Sequence, residues 1–127
     1  MKSDYSKKKY DLDERLIEFA VICISISENL TKNKAGSYIA QQLLRSSTSP
    51  ALHYGEAQSS ESTKDFIHKM RVVLKELRET MNALRLIKRR PLIKNTDIVD
   101  SGLNECNQLI SIFVASINTA QNNNKKK

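Results

Sequence analysis

Phe66, Met70, Val73, Leu77, Met81, Leu84 and Ile87 recur at steps of three and four residues over about six helical turns. Only an α-helix brings such positions to one side, because its 3.6-residue turn returns every third or fourth side chain to the same face, whereas a strand alternates at every second. A long helix with one apolar face is marginal alone in water and has to bury that face against other helices. The rest of the chain must therefore supply partners.

Three further segments show the same period. The first runs from about Leu12 to Leu30, with Leu12, Leu16, Phe19, Ala20, Cys23, Ile26 and Leu30 on one face and Asp11, Glu14 and Glu18 on another. "TKNKAGS" breaks it, placing Gly36 near a cap and leaving Ser37 to start the next helix. The second segment, about Ser37 to Gln58, carries Ile39, Leu43, Leu44, Ala51, Tyr54 and Ala57, with Pro50 inside. Proline removes a helical hydrogen bond and crowds the carbonyl four residues back, so this segment is read as a helix kinked at Pro50, or else as two short helices. The preceding "RSSTS" offers hydroxyls for the carbonyls that the proline frees. "SSES" offers an N-cap to the third helix and Pro91 ends it. Asn95 or Thr96 can cap a fourth helix bearing Val99, Leu103, Cys106, Ile110, Phe113, Val114 and Ile117.

Four helices joined by short breaks favour antiparallel neighbours, and the expected fold is all-α: an up-down-up-down four-helix bundle over residues 11–120. Residues 1–10 are expected to form a flexible lysine-rich tail and residues 121–127 a flexible polar one. At 127 residues, with three Gly and no Trp, the chain has the size and composition of one helical domain. No stretch reaches the roughly 20 apolar residues of a membrane span, and no signal segment follows the N-terminal lysines, so the expected location is the cytoplasm. Cys23 and Cys106 each sit among apolar residues at helical spacing and are expected to be buried free thiols.

The net charge of +7 suggests nucleic acid, but its placement matters. Residues 1–9 hold four Lys and one Asp and residues 125–127 hold three Lys, so the tails carry six of the seven charges. Within the body the charge is polarised. Residues 71–90 hold seven Lys or Arg against two Glu, and Arg71, Lys75, Arg78, Arg85 and Arg89 form a basic stripe opposite the apolar one. These five are the candidate nucleic-acid-binding residues. No exposed aromatic residues for base stacking are expected, and with them no sequence-specific RNA readout.

Catalytic signatures are missing. There is no Gly-rich phosphate loop, no HExxH, no CxxC and no G-x-S-x-G. His53 and His68 stand alone, without carboxylates or thiols at ligand spacing, and the Glu-x-x-His pairs of a di-iron bundle do not occur. The expectation is no enzyme, no cofactor and no metal. Glu76 lies near the edge of the apolar stripe and needs a partner, for which Arg45 on the second helix is placed. Arg45, Glu56, Glu76 and Glu79 are therefore read as a structural polar network.

"QLLRSSTSPALHYGEAQ" at 42–58 followed by "STKDFIHKMRVVLKELRET" at 62–80 resembles the signature of the four-helix-bundle proteins named after the intervening sequences of 23S ribosomal RNA genes. The resemblance covers roughly residues 12–118. It implies shared packing roles for Pro50, Tyr54, Gly55 and Glu56, and assigns Arg45, Glu56, Lys75, Glu76 and Glu79 to the core network and subunit contacts. His53 stands where many relatives carry Asn, and its role is open. The family consists of bacterial bundles that assemble as rings of five and have an RNA-linked role without established enzymatic activity. A similar bundle is the accessory variability protein of diversity-generating retroelements, which binds nucleic acid and a reverse transcriptase.

Two functional classes follow. One is an oligomeric scaffold, a homopentamer by resemblance, that associates with RNA or DNA through the third-helix stripe and the tails. The other is an adaptor ring for a protein partner such as a reverse transcriptase or other polymerase, with no direct nucleic-acid contact. Self-association has its own support in the residues, since the acidic stripe of the first helix (Asp11, Glu14, Glu18) and the basic stripe of the third can meet between subunits.

Overall fold

The computed structural model describes residues 11–125. The tail expected over residues 1–10 lies outside them. Within them the chain is all-α, with four helices: α1 Leu12–Glu28, α2 Lys34–Gln58, α3 Thr63–Arg89 and α4 Asp97–Lys125. Each helix packs on its neighbours in the chain and α1 also meets α4, which closes a four-helix bundle. In α3 and α4 the contacts run in opposite order, with Leu77 against Cys106 and Lys88 paired with Asp100.

Local chemistry sets the boundaries. Asp11 caps α1 by accepting from the Glu14 amide at 3.1 Å, and Ser62 caps α3 by accepting from Asp65 at 3.0 Å. The α3 cap lies within "SSES", as expected. Asn95 accepts from the Asp97 amide at 3.0 Å at the start of α4. The start of α2 differs from the sequence reading. Asn33, not Ser37, is the cap and accepts from the Gly36 amide at 2.8 Å, so Gly36 sits inside the first turn. Thr31 donates its amide to the Leu92 carbonyl at 2.8 Å, tying the α1–α2 connection to the α3–α4 connection.

The core follows the periodic stripes. Leu16, Phe19, Cys23 and Ile26 of α1, Met70, Val73, Leu77, Leu84 and Ile87 of α3, and Val99, Cys106, Leu109 and Phe113 of α4 are buried. Phe113 meets Tyr54 of α2 edge-on, with ring centroids 5.7 Å apart. Burial of this kind contributes about 1.5–3 kcal/mol per large side chain, which makes the shared core the main source of stability.

The second helix departs most from its expected pattern. It is one continuous helix through Pro50, and Ser46, Ser47 and Pro50 are buried while Leu44 is exposed. The hydroxyls do bond backbone carbonyls, but two residues earlier than the Ser46 carbonyl that Pro50 frees: Thr48 donates to Leu44 at 2.7 Å and Ser47 also reaches the Leu44 carbonyl. Ser46 is buried because α3 offers it a partner. Thr80 donates to Ser46 at 2.9 Å and lies 2.9 Å from the Glu76 carbonyl. Among the described residues no buried side-chain polar atom lacks a partner. Finally, α4 continues to Lys125, into the segment expected to be a tail from residue 121. No Gly or Pro interrupts it after residue 102, and each added residue extends the hydrogen-bond ladder by one.

Candidate nucleic-acid interface

The side chains singled out from the sequence fall into two groups on the surface. Arg45 of α2 reaches across to α3 and holds two carboxylates, Glu79 at 2.6 Å and Glu76 at 3.1 Å. The hydrogen bond to Glu79 is the main cause that raises the Arg45 pKa further, followed by the Coulombic attraction of the same carboxylate. This clamp is open to solvent at Arg45 and closes over Glu76, which is mostly covered. Glu56 does not belong to it. It lies three turns further along α2, ~16 Å at the ~1.5 Å rise per residue, and is exposed.

Other links join the helices. Arg15 of α1 grips Glu105 of α4 at 2.7 Å with both partners partly covered, a contact that sequence spacing could not reveal. His53 is exposed on α2 with its Nδ1 2.9 Å from the Ser49 hydroxyl one turn earlier. The two cysteines are buried free thiols. Burial pushes both up to about 12, with Ser47 bonded to Cys23 opposing this slightly and the proximity of Cys23 adding to it at Cys106. Neutral, enclosed thiols of this kind are poor nucleophiles.

The second group is the basic stripe. Arg71, Lys75, Arg78, Arg85 and Arg89 are all exposed on the side of α3 away from the core. Among the described residues none of the five forms an ion pair, and the nearest polar link is Arg85 to Asn82 at 3.5 Å. The two acids within this stretch of α3, Glu76 and Glu79, are held by Arg45 instead. The clamp thus engages both carboxylates of this stretch of α3 and leaves the file of cations along the stripe without an ion-pair partner among the described residues. Leu86 stands exposed within the file, beside Asn82, Arg85 and Arg89 around a shallow recess of about 320 Å³. Among the described residues there is no group of three or more His, Cys, Asp or Glu placed to hold a metal ion. No helix of the described residues is long and apolar enough to cross a membrane.

The fold and its surface define a small all-helical bundle with a file of exposed cations along one outer ridge. The chain belongs to the family of 23S rRNA-intervening sequence proteins, whose model matches residues 8–115. It is similar over 83% of its length to 96% of a crystallised chain from Bacteroides thetaiotaomicron VPI-5482, with 28% identity and a TM-score of 0.74. That chain is described as a protein with unknown function from the S23 ribosomal protein family. A comparison with curated proteins gave no match.

Proposed function

We propose that this protein is a non-enzymatic, oligomeric helical scaffold of the cytoplasm that associates with RNA or other nucleic acid through the outer ridge of α3. The observation that carries this reading is the file of five exposed cations, Arg71 to Arg89, with no carboxylate partner among the described residues. The file is ~27 Å long at ~1.5 Å per residue, long enough to meet several phosphates of a strand. Binding of this type draws its free energy from released counterions, reads no sequence, and weakens steeply with salt. One ridge gives modest affinity; repetition around an oligomer multiplies it. The family name, tied to intervening sequences of 23S rRNA, agrees with an RNA setting.

Self-association is supported by the outer face of α1. Ile17 and Val21 point away from the core, 47% and 58% exposed, one turn apart and flanked by Glu14 and Glu18. An apolar pair in an acidic surround suits a subunit contact, and the family resemblance implies a ring of five. The second reading, an adaptor for a protein partner such as a polymerase, is favoured by Leu52 and Tyr38 on α2, 73% and 61% exposed; Tyr38 departs from the expectation that no aromatic residue is exposed. The double substitution Arg78→Glu/Arg85→Glu separates the alternatives. Under the scaffold reading RNA affinity collapses while the mass by light scattering is unchanged. A lost oligomer would instead place these arginines between subunits, and unchanged RNA affinity would favour the adaptor.

A further inference from the structure

Beyond the ridge, the end of the bundle where α3 begins and α4 finishes holds a recess of about 430 Å³. Its lining is unusual in chemistry: Lys64, His68 and Arg71 from α3, Lys125, Gln121 and Asn124 from α4, and the buried Ile67 as an apolar floor. Three cations, one imidazole and two carboxamides face one space, and among the described residues no carboxylate lines it. Lys64, His68 and Arg71 stand at i, i+4 and i+7 and so share one side of α3. The nearby Asp65 is engaged by Lys69 at 3.0 Å, and Glu61 lines a separate recess on the other flank of α3. The carbonyl end of α4 opposes an anion here, the amide end of α3 favours one, and the two offset. The side chains decide the preference.

We infer that this recess is a binding site for a phosphate monoester, the dianionic terminal group carried by a nucleic-acid end or by a small phosphorylated molecule. A monoester brings close to two negative charges at neutral pH and three terminal oxygens on a single substituent. An internal phosphodiester brings one charge and continues in two directions, which suits the open file of the ridge better than a recess bounded by two helices. Lys, Arg, Asn and Gln together offer more donors than one monoester can use, and none of them requires a deprotonation to serve. The volume lies within the range of roughly 300–1,000 Å³ usual for small-ligand sites, so a phosphorylated nucleoside end fits with its phosphate. The site shares Arg71 with the ridge but does not depend on the ridge reading.

The test uses the full chain and the variant Lys64→Gln/His68→Gln, both positions being exposed, with unchanged thermal melting as the folding control. The primary readout is the ³¹P line width of inorganic phosphate, expected to broaden with the native protein and to stay narrow with the variant. Two oligonucleotides of one sequence, ending in a 5′-phosphate or a 5′-hydroxyl, identify the source by anisotropy. A nucleic-acid end as ligand predicts about five- to tenfold tighter binding of the phosphorylated strand, lost in the variant, as expected for one or two exposed charge-assisted hydrogen bonds. Equal affinities for the two strands, together with variant-sensitive broadening, assign the site to small phosphorylated molecules. If neither strand binds while broadening persists, the recess stands and the ridge reading falls. Broadening that is absent, or identical in native protein and variant, overturns the site whatever the oligonucleotides do.

Discussion

Replacing Gly36 with Ala should destabilise this protein, although Gly→Ala inside a helix ordinarily stabilises by about 0.5–1 kcal/mol. A Cβ on Gly36 would lie 2.0 Å from the Thr31 carbonyl oxygen and 2.7 Å from its hydroxyl oxygen. The first obstacle is backbone, so the connection itself has to move. Thr31 is also the residue whose amide bonds the Leu92 carbonyl, and Gly36 donates to the cap Asn33, so displacement strains the link between two connections and the N-cap of α2 together. Overpacking costs about 1–3 kcal/mol and a weakened cap about 1 more, against the usual gain of under 1. The net expectation is a loss of about 1–3 kcal/mol, or ~4–10 °C in Tm for a domain of this size. Gly55 is the control, because a Cβ there meets nothing within 4 Å. Gly55→Ala should raise Tm by ~2–4 °C. Both melts are followed by circular dichroism at one fixed protomer concentration, since association couples to melting. Gly36→Ala melting at or above the native temperature, or Gly55→Ala falling as far as Gly36→Ala, would refute the close-approach argument.

Thr80→Val should cost about 1–3 kcal/mol in urea unfolding, because it leaves the buried Ser46 hydroxyl without its donor; adding Ser46→Ala should recover much of the loss, and strictly additive costs would contradict the pairing. The thiols should be silent to Ellman's reagent in the folded protein at pH 8 and both should react once it is denatured; rapid labelling of the native state would contradict their burial. Because each thiol is held neutral to about 12 in the fold but ionises near 9 when exposed, the unfolded chain binds fewer protons between those values. Stability should therefore fall as pH rises from about 9 toward 12, by up to about 1.4 kcal/mol per pH unit for each thiol. The variant Cys23→Ala/Cys106→Ala should flatten that decline, and an unaltered slope would exclude the thiols as its source.

Legibility of the sequence varied along the chain for physical reasons. The α3 stripe was readable because burial there is by apolar side chains at a clean helical period: Met70, Val73, Leu77, Leu84 and Ile87 are in the core as read, and Phe66 and Met81 pack against it partly buried. In α2 the period fails as a guide because small polar residues are buried. Ser46 and Ser47 are interior only since α3 and α1 supply partners, Thr80 and Cys23, which no local pattern announces. The cap moved from Ser37 to Asn33 because Gly36 has to lie inside the turn for the backbone to pass Thr31. Of the candidate residues, the ridge cations were legible from spacing alone, and Arg45 with Glu76 and Glu79 from charge and register. Glu56 was grouped with Arg45 by its motif, although the eleven-residue separation between them already puts it three turns away. Lys64, His68 and Lys125 escaped notice as a group: the first two share a face with Arg71, but the recess exists only because α4 persists to Lys125.

The most direct test of the central claim is RNA anisotropy over a salt series, comparing the full chain with Arg78→Gln/Arg85→Gln and with a chain lacking residues 1–10. If the folded ridge holds phosphate, the double variant loses about 1.4–1.8 from the slope of log K against log salt, for two cations at ~0.7–0.9 each, while the shortened chain keeps the native ridge contribution. A slope that the double variant leaves untouched, and that disappears with residues 1–10, would contradict the account and assign the protein's charge to its N-terminal segment.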